Sequence, residues 1–597
     1  MKKITYMAFA AIMGLCSLTS CNDFLDAESK SNVDVDVYYS NPENATKMKV
    51  AVYETMKDLV ENTDFNEWGT DLYIATRSMD PGDFHRYTIT AETGDIKTYY
   101  SNIYNLINKA NYLVEIASDN AQLEAEGRFF RNYGYYLLTQ QFGAVPYVTN
   151  YISSPNTDYP RVALSELYPM MIADLEGIAN SSSLPDTDIE NVSKRAVKAL
   201  LAKICLAAGW DLETTLGDAA GGTYSVSGTS YFTKAAQYAD EAINSQSLSM
   251  TFEQKWAPAN EGNAEEIFSI QYSSNGVPGD ENSGGNTRQN TYGSYYGDIA
   301  TTGLKYCNSR LAPSTKALYL FEKGDDRFEG TFMTTIYNYT GSWDNSGYYA
   351  YYRVSNKSNL PICERYFAPY VTATEAEAEL ESNAAQYVKG DGINNVYAYI
   401  LSDPVVIYKY DNNGKYTKSS KSYEETIKDV AATTCVKKFD DADTKQVNNT
   451  ANCYRDIVVF HVSDMYLTAA EAYLMANNES SALQRLNAVR TRSNATTISS
   501  FSSYEPYYTV PATLGGIKPI DLILDERARE LFAENTRWTD LRRTKQLVRY
   551  NIAFNDYISS VADMSNAQGE VKWLRPIPAS EIGLNSSMTE ADQNPGY

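Results

Sequence analysis

The sequence has 597 residues, of which 51 are Lys or Arg and 75 are Asp or Glu, so its formal net charge is −24. A surface of this sign does not suit a nucleic-acid backbone, because phosphates require a cationic face. We therefore predict no nucleic-acid partner. The length favours several domains, or one large domain built on repeats, and allows an extensive core. No C-x-x-C spacing occurs among the seven cysteines, and the common zinc and redox motifs are absent.

The first twenty residues have the features of a secretory signal peptide. The basic head Met1-Lys2-Lys3 precedes an apolar run over residues 4–15 that is too short to span a bilayer. Leu18-Thr19-Ser20-Cys21 resembles the bacterial lipobox, in which the cysteine becomes the lipidated first residue. We predict cleavage after residue 20, a lipid anchor on Cys21 and a tether over residues 21–40. Secretion with Cys21 left as a plain cysteine is the alternative. No second apolar run is long enough for a membrane span, so membrane contact is expected through the lipid alone.

Apolar positions recur at helical spacing through residues 41–247 and predict three pairs of helices. The first pair covers residues 42–60 and 96–117, and the second lies on either side of a break between Gly143 and Pro146. The third begins after Ser193, which can cap a helix that carries Cys205 on its apolar face. We expect Cys205 to act as a small core hydrophobe.

The composition of the sequence changes between residues 248 and 459, where Pro, Gly and aromatic residues are frequent and helical periodicity is weak. Residues 405–410 and 415–417 flank Asp411-Asn412-Asn413-Gly414, a pattern typical of a β-hairpin. The acidic spacing of an EF-hand is not met, so we predict a turn here and not a calcium loop. A long irregular segment that is rich in aromatics is usually functional, and this one is predicted to bind ligand. Disulfide pairing among the cysteines of this region stays open: Cys307, Cys363, Cys435 and Cys453.

A fourth helix pair is predicted after residue 460. Tyr466 and Tyr473 mark one helix, Leu483 and Val489 mark the next, and a short connection over residues 477–480 predicts an antiparallel hairpin. Alanines at helical spacing allow close approach, as in stacked tetratricopeptide pairs. The predicted fold is mainly α, with degenerate tetratricopeptide-like pairs forming a platform and a large irregular region with a β-hairpin inserted between the third and fourth pairs. The predicted units are residues 41–247, 248–459 and 460–597.

The two ends of the chain carry motifs that point to a known family. These motifs are Cys21-Asn22-Asp23-Phe24-Leu25-Asp26, residues 466–473, Asp525-Glu526-Arg527-Ala528-Arg529-Glu530-Leu531-Phe532 with its continuation to Arg543, Trp573-Leu574-Arg575-Pro576-Ile577-Pro578, and the ending Gln593-Asn594-Pro595-Gly596-Tyr597. Together they resemble the SusD/RagB-like outer-membrane lipoproteins of Bacteroidetes. The Arg and Glu side chains near Arg527 alternate, and we expect them to neutralise one another as their helix packs among the repeats. Arg537 and Trp538 are expected to pack and not to bind ligand.

The resemblance implies a surface-exposed, lipid-anchored protein of the outer membrane. Members of this family capture oligosaccharides and cover a SusC-like TonB-dependent transporter, with the helix pairs facing the transporter. RagB-like relatives are tied to peptides, so peptide capture is the alternative ligand class. A third alternative is a repeat scaffold that binds only other proteins.

Sugar recognition needs flat aromatic platforms beside short polar side chains, and two regions supply this mixture. The loop after the first helix contributes Tyr73, Arg77, Asp80, Phe84, His85 and Tyr87, and the middle region contributes Tyr292, Tyr295, Tyr296, Trp343, Tyr348 and Tyr349. The resemblance implies that the two regions converge on one face. Trp343 is the leading candidate, since it is followed by Asp, Asn, Ser and Gly, which are uncommon around a core tryptophan.

Enzymatic chemistry finds little support in the sequence. Only His85 and His461 could act as histidine bases, and His461 follows an aliphatic run that predicts a packed, hydrogen-bonded role. No HExxH, G-x-S-x-G or phosphate-loop pattern is present. A glycoside hydrolase with paired carboxylates stays as a less favoured alternative, because no particular pair stands out. We predict a binding protein with no catalytic residue, metal or cofactor.

Overall fold

The computed structural model describes most of the chain. It covers residues 42–76, 80–117, 119–154, 156–273, 284–292, 310–337, 363–368, 373–382, 396–411, 413–428, 434, 436–439 and 453–597. Several predictions fall outside these residues: the signal peptide, the tether and anchor at Cys21, the site candidates Arg77, Tyr295, Tyr296, Trp343, Tyr348 and Tyr349, and the cysteines Cys307 and Cys435.

Nineteen helices are present within the described residues. In chain order they are α1 Pro42–Glu61, α2 Gly82–Arg86, α3 Gly94–Ile116, α4 Ala121–Phe142, α5 Leu164–Ala179, α6 Lys194–Leu212, α7 Ser230–Ile243, α8 Phe252–Trp256, α9 Arg288–Tyr292, α10 Thr315–Leu318, α11 Arg327–Thr331, α12 Ala373–Ser382, α13 Tyr423–Ile427, α14 Val462–Met475, α15 Glu479–Arg492, α16 Pro519–Glu530, α17 Arg537–Arg543, α18 Leu547–Phe554 and α19 Ala579–Leu584. None of the helices that could be searched has both the length and the apolar character of a membrane span.

The strands of the described residues are short and form small sheets. They are β1 Tyr73–Ala75, β2 Val145–Pro146, β3 Arg161–Val162, β4 Thr214–Leu216, β5 Tyr224–Val226, β6 Glu266–Ile270, β7 Leu311–Pro313, β8 Thr335–Tyr337, β9 Cys363–Ala368, β10 Val396–Ile400, β11 Val405–Tyr410, β12 Tyr416–Lys421 and β13 Ile457–His461. The two-stranded pairs are β1 with β7, β2 with β3, β4 with β5, and β6 with β13.

The long helices pack in sequence order into one stack. Helix α1 packs on α3, α3 on α4, α5 on α6, and α6 on α7. Close approach depends on small residues: a Cβ added at Gly134 of α4 would lie 2.6 Å from Ile107 of α3. Helix α6 begins where the sequence predicts, because the Ser193 hydroxyl accepts a hydrogen bond from the Ala196 amide. Cys205 lies fully buried in this helix, as predicted.

The fourth helix pair completes the stack. Helix α14 packs on α7 and α15 packs on α14, although the whole middle region separates α7 from α14 in the chain. The Tyr473 hydroxyl donates to Asp240 of α7 at 2.7 Å, and Arg485 of α15 forms an ion pair with the same carboxylate at 2.8 Å. The predicted mainly helical fold with tetratricopeptide-like pairs is confirmed.

The middle region has more regular structure than its sequence indicates. The predicted hairpin is present as β11 and β12, which pair from Val405↔Lys421 to Tyr410↔Tyr416. These strands belong to a five-stranded sheet in the order β12-β11-β10-β9-β8, in which β9 and β10 run parallel. Helix α12 covers part of this sheet, with Leu380 packed in a small separate core beside Tyr408 and Tyr410.

The C-terminal motif is a buried network of ion pairs. Glu526 of α16 lies 2.6–2.7 Å from Arg327, Arg490 and Arg529, and all four side chains have at most 1% of their surface exposed. The predicted structural role of the alternating Arg and Glu residues is therefore confirmed. Trp538 is also fully buried.

Candidate ligand-binding site

Strands β1 and β7 pair, which places Tyr73–Ala75 of the first predicted region beside Leu311–Pro313 of the middle region. The strands are antiparallel, with Tyr73 opposite Pro313 and Ala75 opposite Leu311. The chain therefore leaves β1 towards residue 77 at the same end of the ladder at which it enters β7 from Arg310. We call this end the β1–β7 edge. Residues far apart in the sequence meet there through a pairing of only three residues.

A cavity of about 320 Å³ opens beside the β1–β7 edge. Arg310 forms a two-pronged ion pair with Asp64, with both N–O distances 3.0 Å, and its guanidinium lies 5.9 Å from the Trp68 ring. Nearby, Glu61 accepts hydrogen bonds from the Tyr272 hydroxyl at 3.0 Å and the Thr287 amide at 3.3 Å. Burial raises the pKa of Glu61. The lining is polar throughout: Asp58, Glu61, Asn62, Thr63, Asp64, Thr287, Thr291 and Arg310.

An exposed aromatic ring from the C-terminal part of the chain packs against the segment that follows β1. Asp80 pairs with Arg86 at 2.6 Å, and the Arg86 guanidinium lies 5.1 Å from the ring centre of Tyr557, which is 50% exposed. Asp80 also accepts a hydrogen bond from the Gly82 amide, which lowers its pKa together with the nearby charge of Arg86. Tyr557 was not predicted, because it lies far from both regions in the sequence and no pattern marks it.

Three predicted platform residues are buried, and this corrects the expectation that their rings face a ligand. Tyr73 and Tyr292 are each 2% exposed and lie 6.2 Å apart, and the Tyr292 hydroxyl donates to Glu67 at 3.3 Å. His85 is also buried and accepts a hydrogen bond from the Gly69 amide through Nδ1. Burial, with a smaller effect of the Arg86 charge, lowers the pKa of His85 to about 4, so this ring is neutral at pH 7.

Phe84 and Tyr87 are buried as well. The Tyr87 hydroxyl donates to the Gly69 carbonyl at 2.7 Å, and both rings contact the guanidinium of Arg575. Of the predicted residues that the structure describes, Asp80 alone presents a polar group to solvent. Within these parts of the chain, no three His, Cys, Asp or Glu side chains are arranged to hold a metal ion.

His461 has the packed role that the sequence predicts. It is buried, and its Nε2 lies 2.8 Å from Glu534, while its Nδ1 lies within 2.9 Å of both Lys255 and Ser463. The ring therefore links β13 to the segment after α16.

Comparison with known families identifies the family of this chain. The model of the SusD family matches residues 252–597, and a second model, described as starch-binding associating with outer membrane, matches residues 23–206. The first match covers more than half of the chain. The chain therefore belongs to the SusD family. The description of the second model supports association with the outer membrane.

Individual relatives are distant in sequence and similar in fold. A SusD homologue from Bacteroides thetaiotaomicron has a TM-score of 0.63 at 17% identity, covering 94% of this chain and 99% of that one. A laminarin-binding SusD-like protein has a TM-score of 0.60 at 20% identity, covering 93% and 99%. The SusD-like protein P38 of Formosa agariphila is 22% identical over 208 residues, which are 33% of this chain and 41% of that protein.

Proposed function

We propose that this protein is a cell-surface lipoprotein that captures an oligosaccharide or polysaccharide and delivers it to a SusC-like TonB-dependent transporter. The observation that carries the proposal is the β1–β7 edge, where Tyr73–Ala75 of one region expected to bind ligand pairs with Leu311–Pro313 of the other, in a chain of the SusD family. The stack of helix pairs would face the transporter, and the ligand would lie at the β1–β7 edge.

The chemistry of this edge fits a carbohydrate. The cavity presents hydroxyl, carboxylate, amide and guanidinium groups, and sugar hydroxyls can donate to or accept from each of them. The exposed Tyr557 ring offers an apolar face with a polar tip. A structurally similar protein binds laminarin, which is consistent with a glycan ligand on this fold. We propose a binding role without catalysis. Capture of a peptide is the second candidate function, because the chain also resembles RagB-like proteins.

The proposal is tested by a binding experiment with the purified chain that lacks its first 21 residues. The panel contains plant, microbial and host glycans, together with peptides. We expect saturable binding to one glycan class and no released product. Trp343→Ala should raise the Kd about tenfold, which corresponds to about 1.4 kcal/mol, because it removes a stacking platform. Its melting temperature should stay unchanged.

The matched control is Val226→Ala, because Val226 is an exposed apolar residue on β5. This variant should bind as the wild type does. If the protein binds peptides and none of the glycans, it is a peptide-capturing protein. Unfolding of Trp343→Ala would show that this tryptophan belongs to the core.

The proposed anchor has its own test. Cys21→Ala should move the protein from the membrane fraction to the soluble fraction, because acyl chains on this residue would supply the anchoring free energy. Cys16→Ala is the matched control and should stay membrane-bound, because residue 16 would be removed with the signal peptide. Membrane retention of Cys21→Ala, measured by fractionation and immunoblotting, would contradict the lipoprotein assignment.

A further inference from the structure

A second and larger cavity, of about 510 Å³, lies apart from the one at the β1–β7 edge. It is formed by the start of α10, the turn between β10 and β11, residues 507–511 and the end of α18. Its volume falls within the range of about 300–1,000 Å³ that is usual for small-molecule sites. Its size and its mixed lining distinguish it from a packing defect.

Aromatic side chains form the walls of this cavity: Tyr319, Tyr507, Tyr508 and Phe554. The Tyr507 ring is 47% exposed, and its hydroxyl donates to Glu322 at 2.6 Å, which fixes the ring from its far end. Tyr508 is held by a hydrogen bond of 2.9 Å to Asp525. A ring that is held in place without ligand loses little conformational entropy when a ligand stacks on it.

Short polar side chains also belong to the lining: Ser314, Thr315, Ser402, Asp403, Thr509 and Asp556. Burial and the neighbouring carboxylates of Glu424 and Asp403 raise the pKa of Asp556. Among the described lining residues the one cation is Lys316, and its ammonium is paired with the buried carboxylates of Asp71 and Asp525. The carboxylates of Asp403 and Asp556 therefore have no compensating cation among these lining residues.

The surface around the cavity supplies an independent indication. Large apolar side chains are rarely exposed on the described part of this protein, and three of those that are exposed lie in or next to the lining segments: Tyr507, Val510 and Tyr557. Exposed apolar patches on a soluble domain often mark binding surfaces. Tyr557, which follows the lining residue Asp556, lies with its ring centre 5.1 Å from the guanidinium of Arg86 at the end of α2.

We propose that this cavity is a second saccharide-binding site, selective for neutral sugar rings over uronate or sulfated sugars. The exposed ring of Tyr507 would stack on the C–H face of a sugar, and the hydroxyl and carboxylate oxygens of the lining would accept hydrogen bonds from the sugar hydroxyls. An anionic sugar is disfavoured by like charge at Asp403 and Asp556. The inference rests on the proposed glycan-binding function, and it predicts that a glycan long enough to reach both sites binds more tightly than a short one.

The test measures binding to the second site in a background in which the first site is weakened about tenfold. In the Trp343→Ala background, the probes are laminaritriose, maltotriose, cellotriose and xylotriose as neutral sugars and trigalacturonate as the anionic one. Saturation-transfer difference NMR and calorimetric titration should detect weak residual binding of at least one neutral trisaccharide and none of trigalacturonate. Adding Tyr507→Ala should reduce this residual binding at least tenfold. Tyr507→Phe, which keeps the ring, should retain it.

Each outcome decides the inference. Loss of all neutral-sugar binding on Trp343→Ala alone, or residual binding that Tyr507→Ala leaves unchanged, would overturn the second site while the glycan-binding function stands. If the wild-type protein binds none of the neutral trisaccharides and no glycan of the wider panel, both proposals fail. Equal binding of trigalacturonate would overturn the stated selectivity. Melting temperatures identify any variant that is not folded. If Tyr507→Ala does not fold, Thr509→Trp replaces it, because a tryptophan at this exposed position narrows the cavity.

Discussion

Glu526→Ala is expected to lower the free energy of unfolding by about 3 kcal/mol or more, because it leaves buried guanidinium groups without their shared carboxylate. Glu526 lies within 2.7 Å of Arg327, Arg490 and Arg529. Arg327 keeps Asp325 and Arg490 keeps Glu322 in the variant, so we expect the lower end of the range for a broken buried pair. These arginines hold the pKa of Glu526 at about 2 although burial acts in the opposite direction.

Urea and thermal unfolding, followed by circular dichroism, measure this effect. Asp186→Ala is the control, because Asp186 pairs with Lys194 while 88% of its own side chain is exposed, and removal of such a pair should leave the unfolding midpoint unchanged. Since the pKa of Glu526 is depressed on folding, its contribution is present above pH 4.5 and is lost as pH falls towards 2. Equal melting temperatures for Glu526→Ala and Asp186→Ala would contradict the assigned role of the network.

Glu67→Gln is expected to stabilise the protein at pH 8.5 and to change it little at pH 4.5. Glu67 is buried and accepts hydrogen bonds from the Asn535 amide at 2.6 Å and the Tyr292 hydroxyl at 3.3 Å. Burial raises its pKa from an ordinary value of 4.5 to about 8, although Tyr73, Asn535 and Arg288 favour the charged form. The folded protein therefore holds this proton over a pH range in which the unfolded chain has released it.

The sign of the pH dependence follows from linkage. Because the folded-state pKa is the higher one, the contribution of Glu67 is complete below pH 4.5 and is lost as pH rises to about 8, at about 1.4 kcal/mol per pH unit. Glutamine cannot titrate, so the difference in unfolding free energy between variant and wild type should grow by several kcal/mol, about 3–5, between pH 4.5 and 8.5. Paired urea titrations at both pH values measure it, with the exposed Glu190→Gln as control. A difference that does not change with pH would show that Glu67 is already ionised in the folded protein.

Local sequence patterns predicted those elements whose determinants lie within a few residues. The helix pairs follow from apolar positions at a spacing of 3.6 residues, the start of α6 follows from Ser193, and the hairpin follows from the turn at residues 411–414. The alternating charges around Arg527 indicated ion pairing, although the partner Arg327 could not be named from the sequence. The sheet beyond the hairpin was missed, because β9 and β10 pair in parallel across a long connection and no turn motif links them.

The candidate site was predictable only as two regions of the chain. Tyr73, His85 and Tyr292 satisfy the composition of a sugar platform, yet all three are buried, because a tyrosine or histidine serves equally well in a core and on a surface. The exposed ring is that of Tyr557, which becomes a neighbour of Arg86 only after the C-terminal segment packs against the loop after β1.

The sequence by itself determined the family, the helical repeats and the ionic character of the C-terminal helix, because each depends on periodicity or on a contiguous motif. Only the tertiary structure decided which residues meet at the β1–β7 edge and which side chains line the second cavity. Both groupings bring together residues that lie more than a hundred positions apart: Ala75 pairs with Leu311, and Ser402 lines the same cavity as Tyr507 and Asp556. Three-residue pairings and cavity walls leave no local pattern, since their stability comes from burial against the completed helix stack.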